Sequence, residues 1–241
     1  MSTIDFQTSC YEKSYQLLLK EGLLINYLKH FPDTHFNEIR VLINNVYNKE
    51  EIKDFFKDYP NVVYYFTYDK PTEILASFGI NINSFYLTQL PFSIQHFTGL
   101  YYSHADYIFH VSEDCNIDNL DSSFINESLD MLESHDEYVS AMPGWDKNLK
   151  VPSGEALKED GDFYICNKQT DQIYIIKTSI FKQKIYNWDS PYPWKDFPIK
   201  GGNSFEKRIS SYMAHNKKYR VVHKKYYYLN GYYDSVIKGK K

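Results

Sequence analysis

The stretch Ala105-Asp-Tyr-Ile-Phe-His-Val-Ser-Glu-Asp-Cys115 constrains the fold of this chain more than any other. Tyr107 to Val111 shows no alternation of polar and apolar side chains, the pattern of a strand covered on both faces. Such a strand sits inside a sheet, with other elements packed above and below it. It runs directly into an acidic turn, Ser112-Glu113-Asp114. Open α/β sheets bind ligands in the crevice beyond the carboxyl ends of their strands, so the turn lies where a ligand is expected. A carboxylate there can hold a hard divalent cation, and the cation can hold a diphosphate. Capping of the following segment is the other reading of Glu113 and Asp114.

The flanking segments agree with a strand–helix alternation. Ile4 to Ser9 reads as a strand, and Ser14 to His30 as a helix whose apolar side chains recur at three- and four-residue steps. Glu38 to Asn44 and Val62 to Phe66 read as strands, separated by an amphipathic helix over Lys49 to Lys57 that Asp58-Tyr-Pro60 stops. Leu90 to Ser103 reads as the helix before the acidic strand. This alternation implies parallel pairing and right-handed crossovers. The second half is less regular. Helices are expected over Phe124 to Ser134, Thr178 to Ile185 and Phe205 to His215, the last capped by Asn203-Ser204. Strands are expected over Tyr138 to Met142, Gln172 to Lys177 and Tyr219 to Val222, and Lys147 to Asp162 reads as a long exposed loop. With no internal repeat and no clean linker, residues 1–241 are expected to form one α/β domain with a Rossmann-like, mostly parallel central sheet flanked by helices.

Composition narrows the function. The net charge of −4 argues against a general polyanion binder, so no nucleic-acid partner is expected. Cys10, Cys115 and Cys166 are widely spaced and odd in number, which fits a reducing compartment and matches no metal-binding spacing. No signal peptide and no apolar run long enough to span a bilayer is present, and a cytoplasmic protein is expected. Aromatic residues reach 18%; a compositional bias accounts for this, and so do sites that stack on bases or sugar rings. The aromatic and basic tail from Tyr226 to Lys241 suits a peripheral membrane contact at an inner leaflet, a nucleic acid, or a plain packing arm.

Taken in order, several features resemble a nucleotide-sugar-dependent glycosyltransferase of the GT-A type, similar in layout to family 2 enzymes. They are a first strand entering Thr8-Ser-Cys-Tyr11, a second strand Val41 to Val46 and a third reaching Asp69. The helix Leu90 to Ser103 and the acidic strand follow, then Thr170-Asp-Gln172 and Gly-Gly-Asn-Ser-Phe-Glu-Lys-Arg208. The resemblance implies a nucleotide-sugar-binding half over 1–120 and an acceptor-binding half over 121–241. It implies Mn²⁺ or Mg²⁺ as cofactor, a UDP, GDP or dTDP sugar as donor, and a saccharide or lipid-linked glycan as acceptor. An Asp-x-Asp turn binds the metal in such enzymes. Here Ser112 stands at its first position, which leaves Asp114 as the metal ligand, with Glu113 assisting or pointing elsewhere.

An inverting transferase also needs a carboxylate to deprotonate the acceptor hydroxyl. Glu206 is the first candidate, with compensation of a helix dipole as its other reading. Asp171 is the second, and Asp146, beside Trp145, the third. Trp145 and Trp194 are candidate acceptor contacts. Thr8, Tyr11, Asn45, Asp69 and Gln95, with Ser112 and Glu113, are candidates for the donor, each also readable as a satisfied structural polar group. His96 is a further residue that could face the nucleotide, whereas His110 reads as a core histidine. His223 is a candidate second metal or phosphate ligand, with Arg220, Lys224 and Lys225 able to neutralise diphosphate; a solvated edge strand is its other reading. The competing functions are sugar-phosphate nucleotidyl transfer, disfavoured because Thr8 to Lys13 contains no glycine, and a non-catalytic carbohydrate- or nucleic-acid-binding module.

Overall fold

The computed structural model describes residues 2–85, 89–145, 147–189 and 204–231. The first half runs β1 (Ile4–Tyr11), a π-type turn (Gln16–Lys20), α1 (Leu23–Lys29), β2 (Ile39–Asn44), α2 (Lys49–Phe56) and β3 (Val62–Phe66). It continues through α3 (Pro71–Ser77), α4 (Leu90–Tyr102), β4 (Tyr107–Val111) and β5 (Cys115–Asn116). The second half contains α5 (Ser122–Ser134), β6 (Tyr138–Gly144), α6 (Lys150–Glu155), β7 (Lys158–Asp160), β8 (Phe163–Cys166) and β9 (Ile173–Lys177). After these come α7 (Thr178–Phe181), α8 (Phe205–Asn216), β10 (Tyr219–Tyr227) and β11 (Leu229–Asn230).

Nine strands form one sheet in the order β3-β2-β1-β4-β9-β6-β10-β8-β7, and β5 pairs with β11 beside it. The first four strands are parallel. The chain leaves β1 for β2 and β3 on one side and returns on the other side as β4, which creates the reversal of strand order at which such sheets bind ligands. Beyond β4 the sheet is mixed. β9 runs antiparallel to both β4 and β6, and β10 is parallel to β6 but antiparallel to β8.

β4 is fully buried, and its two faces feed two cores. Tyr107, Phe109 and Val111 join the cluster containing α1 and α5, through Leu24, Tyr27, Phe124 and Ile125. Ile108 joins the opposite cluster, with Ile94, Phe97 and Leu100 of α4 and Ile209 and Met213 of α8. The period-two alternation of strand side chains imposes this division, and removing a side chain such as Phe109 from water stabilises the fold by about 1.5–3 kcal/mol. His110 points to the second face, where its Nδ1 lies 3.1 Å from Gln7 Nε2 and its ring stacks 4.9 Å from Tyr174. It is a core histidine.

Several segments differ from the sequence expectation: α7 stops at Phe181 instead of Ile185, β10 runs on from Val222 to Tyr227, and three further differences shape the site's surroundings. The helix expected over 14–30 is broken at Gly22, whose φ of +81° suits glycine; the chain turns there and starts α1 afresh. The first strand extends to Tyr11 instead of ending at Ser9, because Cys10 and Tyr11 still pair with Ile43 and Asn44. The segment from Lys147 to Asp162 is not a loop throughout: it holds α6 and the edge strand β7, which pairs with β8. Its polar side chains face solvent from an edge, where hydrophobic alternation is not required. Among the described residues no helix is long and apolar enough to cross a membrane.

Candidate active site

Two adjoining cavities lie at the strand exits. The larger, about 810 Å³, opens at the β1/β4 reversal and is lined by Tyr11 to Ser14 after β1, Asn44 and Asn45 after β2, and Ser112 to Asp114 after β4. Pro91, Phe92 and Gln95 of α4 close one side. The smaller, about 300 Å³, is lined by Trp145, Glu155, the segment 168–172, Glu206, Arg220, Tyr228 and Asn230. Asp171 and Gln172 line both. They do so because β9 is antiparallel to its neighbours, so its first residues lie beside the last residues of β4; Ser112 N–H donates to Gln172 O at 2.9 Å.

The acidic turn is held from beneath. Tyr27 Oη donates toward Ser112 O (3.2 Å) and Cys115 O (2.9 Å). Glu113 accepts from Ser9 Oγ at 3.1 Å and Ser14 Oγ at 3.3 Å, so it ties the β4 exit to the loop after β1. Burial pushes the Glu113 carboxyl up to about 7; the charge of Asp114 adds to the shift and the two serine hydroxyls oppose it. Asp114 lines the larger cavity, and the buried thiol of Cys115 lies within 3.7–3.8 Å of Asp114 Oδ1, Gln172 Oε1 and Asn230 Oδ1.

A line of carboxylates runs from the larger cavity to the smaller. Burial raises Asp171, and the charge of Asp114 raises it further. Burial likewise pushes Glu206 up to about 8, with Asp171 adding and Arg220 opposing. Glu206 stands in the first turn of α8, whose Ser204 cap accepts from Lys207 N–H at 3.3 Å. Asp171 and Glu206 therefore compete for ionisation and titrate as a unit.

The remaining candidates fall out as follows. Tyr11, Asn45, Gln95 and Ser112 line the larger cavity, and Trp145 the smaller. Asn45 adopts a φ of +52°, a conformation asparagine tolerates. Thr8 is not at the cavity: because β1 runs on to Tyr11, Thr8 lies within the strand and is fully buried. Asp69 pairs with Lys49 Nζ at 2.6 Å on the surface and lines neither cavity. His96 faces the core, with Nδ1 2.7 Å from Tyr174 Oη and its ring stacked on Phe205. His223 is 1% exposed inside β10 and lines neither cavity. Its Nε2 lies 2.7 Å from Glu127 Oε2, and its Nδ1 accepts from Lys225 N–H at 3.1 Å, so both ring nitrogens are engaged. Lys224 pairs with Glu159. Asp146 and Trp194 lie outside the described residues.

Sequence reasoning missed Tyr47 and Phe92, which are 82% and 63% exposed and line the larger cavity together with Tyr11. Two large aromatics at solvent-facing positions were the available signal. It also missed Gln169 and Glu155, which sit in polar stretches with no pattern to single them out.

Among the described residues no three His, Cys, Asp or Glu side chains converge as a ready-made metal cage. Mg²⁺ and Mn²⁺ sites completed by substrate phosphates need only one or two carboxylates, and the larger cavity fits that case. Glu12, Glu113, Asp114 and Asp171 line it, with Lys13 as the basic side chain among its described lining residues. A cation completed by a ligand's phosphate oxygens could be held there by Asp114, at the exit of β4.

No family model matches the chain, and no curated protein matches it in sequence. Solved structures do match. A crystal structure of GalNAc-T7 with UDP, GalNAc and Mn²⁺ superposes with a TM-score of 0.58 at 10% identity, covering 95% of this chain and 44% of that one. Staphylococcus aureus TarS (residues 1–349) gives 0.50 at 13% identity over 95% of this chain and 60% of that one. A further structure of S. aureus TarS gives 0.51 at 13% identity, again over 95% of this chain, and 36% of that one. The chain therefore spans less than two thirds of each of these chains. At such identities the likeness shows the fold, and this chain has the GT-A glycosyltransferase fold.

Proposed function

We propose that this protein is a metal-assisted glycosyltransferase that moves a sugar from a nucleoside-diphosphate sugar to a saccharide acceptor, with inversion at the anomeric carbon. The carrying observation is the pair of cavities joined at Asp171 and Gln172, one containing Asp114 and the other Glu206. A donor whose nucleotide fills the larger cavity has its sugar at the junction, facing a nucleophile in the smaller.

The acceptor hydroxyl oxygen bonds to the anomeric carbon as the bond from that carbon to the diphosphate oxygen breaks. The electron pair of that bond leaves with the nucleoside diphosphate, and the hydroxyl proton passes to the Glu206 carboxylate. Asp114 would hold Mn²⁺ or Mg²⁺, which when bound would supply positive charge to stabilise the leaving diphosphate. Glu113 has its oxygens occupied by Ser9 and Ser14 and serves to fix the turn that presents Asp114. Tyr11, Tyr47 and Phe92 offer ring faces to the base, and Asn45 and Gln95 offer amides to its edge or to the ribose. A base that ionises only near pH 8 is matched to proton abstraction from a hydroxyl in mildly alkaline conditions.

The test is thermal stabilisation by UDP, GDP and dTDP and their sugars, with and without Mn²⁺. Stabilisation follows mass action, so one nucleotide is expected to raise the melting temperature only when Mn²⁺ is present, and Asp114→Asn is expected to remove the shift. A wild-type chain indifferent to all three nucleotides with metal would sink the reading.

A further inference from the structure

One amide at the larger cavity has its polarity set by hydrogen bonds that begin at a backbone carbonyl. Asn44, the last residue of β2, is 7% exposed. One side of its amide lies 2.5 Å from Pro91 O, in the first turn of α4. A backbone carbonyl only accepts, so the atom facing it is Nδ2. The other side, Oδ1, accepts from the buried Thr67 hydroxyl at 3.2 Å. Asn44 Nδ2 also lies 3.2 Å from the Gln95 amide. That nitrogen only donates, so the Gln95 atom turned toward it is Oε1. The network thus leaves one orientation for each amide.

Gln95 therefore turns its Nε2 away from Asn44. Gln95 is half-buried and lines the larger cavity. Its Nε2 has no partner among the described residues, and unlike the amide atoms of Gln169 it is not buried. An amide NH₂ is a donor alone, so a ligand meeting it has to present an acceptor. Gln95 follows Phe92 by three residues on α4, which places the two side chains on one face of the helix. The carboxylates Glu113, Asp114 and Asp171 enter the cavity from beside β4 and β9 instead. The acceptor met by Gln95 thus belongs to the part of the ligand beside the exposed Phe92 ring, not to the diphosphate.

We propose that Gln95 selects the base of the nucleotide donor, and that the base carries a carbonyl oxygen where cytosine and adenine carry an amino group. Uracil, thymine and guanine meet that condition. An amino group there would set donor against donor and leave both unpaired once water is displaced. The inference rests on the reading that a nucleotide fills the larger cavity, and it adds which bases that cavity admits.

The experiment titrates the full chain, with Mn²⁺ present, against two pairs of ligands by calorimetry: UDP with CDP, and inosine diphosphate with ADP. Within each pair the diphosphate, the ribose and the size of the base are constant, and carbonyl is exchanged for amino. In the pair that binds more tightly, the carbonyl member is expected to bind wild type better by about tenfold or more. Gln95→Glu keeps one oxygen on Asn44 Nδ2 and offers the other to the cavity as an acceptor, so the preference is expected to invert. The added charge repels both diphosphates alike, which makes the ratio the readout. Gln95→Leu is expected to erase the preference by weakening the carbonyl member alone, and it decides the matter if Gln95→Glu does not fold. Equal weakening of both members would place the amide on the ribose or the phosphates and overturn the proposal. So would a wild-type chain without preference, or a Gln95→Glu chain that keeps the wild-type one. In each of those cases nucleotides still bind, and the transferase reading stands. A wild-type chain that binds none of the nucleotides sinks both. A carbonyl preference in a chain that cleaves no UDP-, GDP- or dTDP-sugar would refute sugar transfer and spare this inference.

Discussion

The two cavities differ in what they lack. The larger presents four carboxylates and the single basic side chain Lys13 among its described lining residues, so its deficit is positive charge. The smaller sets Arg220 and Lys168 against Glu155, Asp171 and Glu206, so cations and carboxylates are mixed in its lining. In the proposed function the acidic cavity takes the metal-bound diphosphate and the mixed-charge cavity the acceptor. Asp171 belongs to both and carries the electrostatic link between them.

The largest test of this contrast is Asp114→Asn. It should lower turnover by on the order of a thousandfold, measured as release of nucleoside diphosphate, while the circular dichroism spectrum stays that of wild type. Retained turnover would move the cation elsewhere. Glu206→Gln comes next, with an expected loss of about a hundredfold or more in turnover and little change in donor affinity. Wild-type turnover should rise with pH and reach half its plateau near pH 8, since the base acts when ionised. The folded-state carboxyl is raised from 4.5 to about 8, so the stability it allows is full below pH 4.5, falls as pH climbs from there to about 8, and is lost above it. Glu206→Gln should therefore melt higher than wild type above pH 8, a readout independent of turnover. Weakened donor binding with normal chemistry would remove Glu206 from the role of base.

Smaller effects separate scaffold from contact within the larger cavity. Glu113→Ala deletes the bridge from Ser9 and Ser14 and should cost about 1 kcal/mol of stability, with the donor KM rising as the turn loosens. An unchanged KM would show that Asp114 is held without it. Phe92→Ala should leave melting unaffected, because the ring is exposed, and weaken nucleotide binding by roughly fivefold, or about 1 kcal/mol. Equal loss for a nucleotide and for inorganic diphosphate would contradict a contact to the base.

The parts of the site legible in sequence were those fixed by burial pattern. β4 reads from its uninterrupted apolar run, and the placement of Ser112 to Asp114 follows from where that run stops. Asp171 and Glu206 were named from separate segments, and the fold brings them to one cavity wall. Thr8 was misplaced because pairing with β2, which no local pattern encodes, carries β1 two residues past Ser9. His223 drew attention through its residue type, whereas a partner 96 residues away, Glu127, defines its environment. The orientation of the Gln95 amide could not be read at all. It follows from Asn44 and the Pro91 carbonyl, and only a three-dimensional inventory of donors and acceptors exposes it.

The reversed direction of β9 has a consequence for how this site can change. A backward-running strand places its entrance, not its exit, among the carboxyl ends of its neighbours, so the hexapeptide Asn167-Lys-Gln-Thr-Asp-Gln172 arrives at the centre of the site as a connector. Of these, Lys168, Gln169 and Thr170 line the smaller cavity and belong to no strand. Substitution there can reshape the smaller cavity while Ser112 to Asp114, anchored by Tyr27 beneath and by Ser9 and Ser14 beside, stays in place.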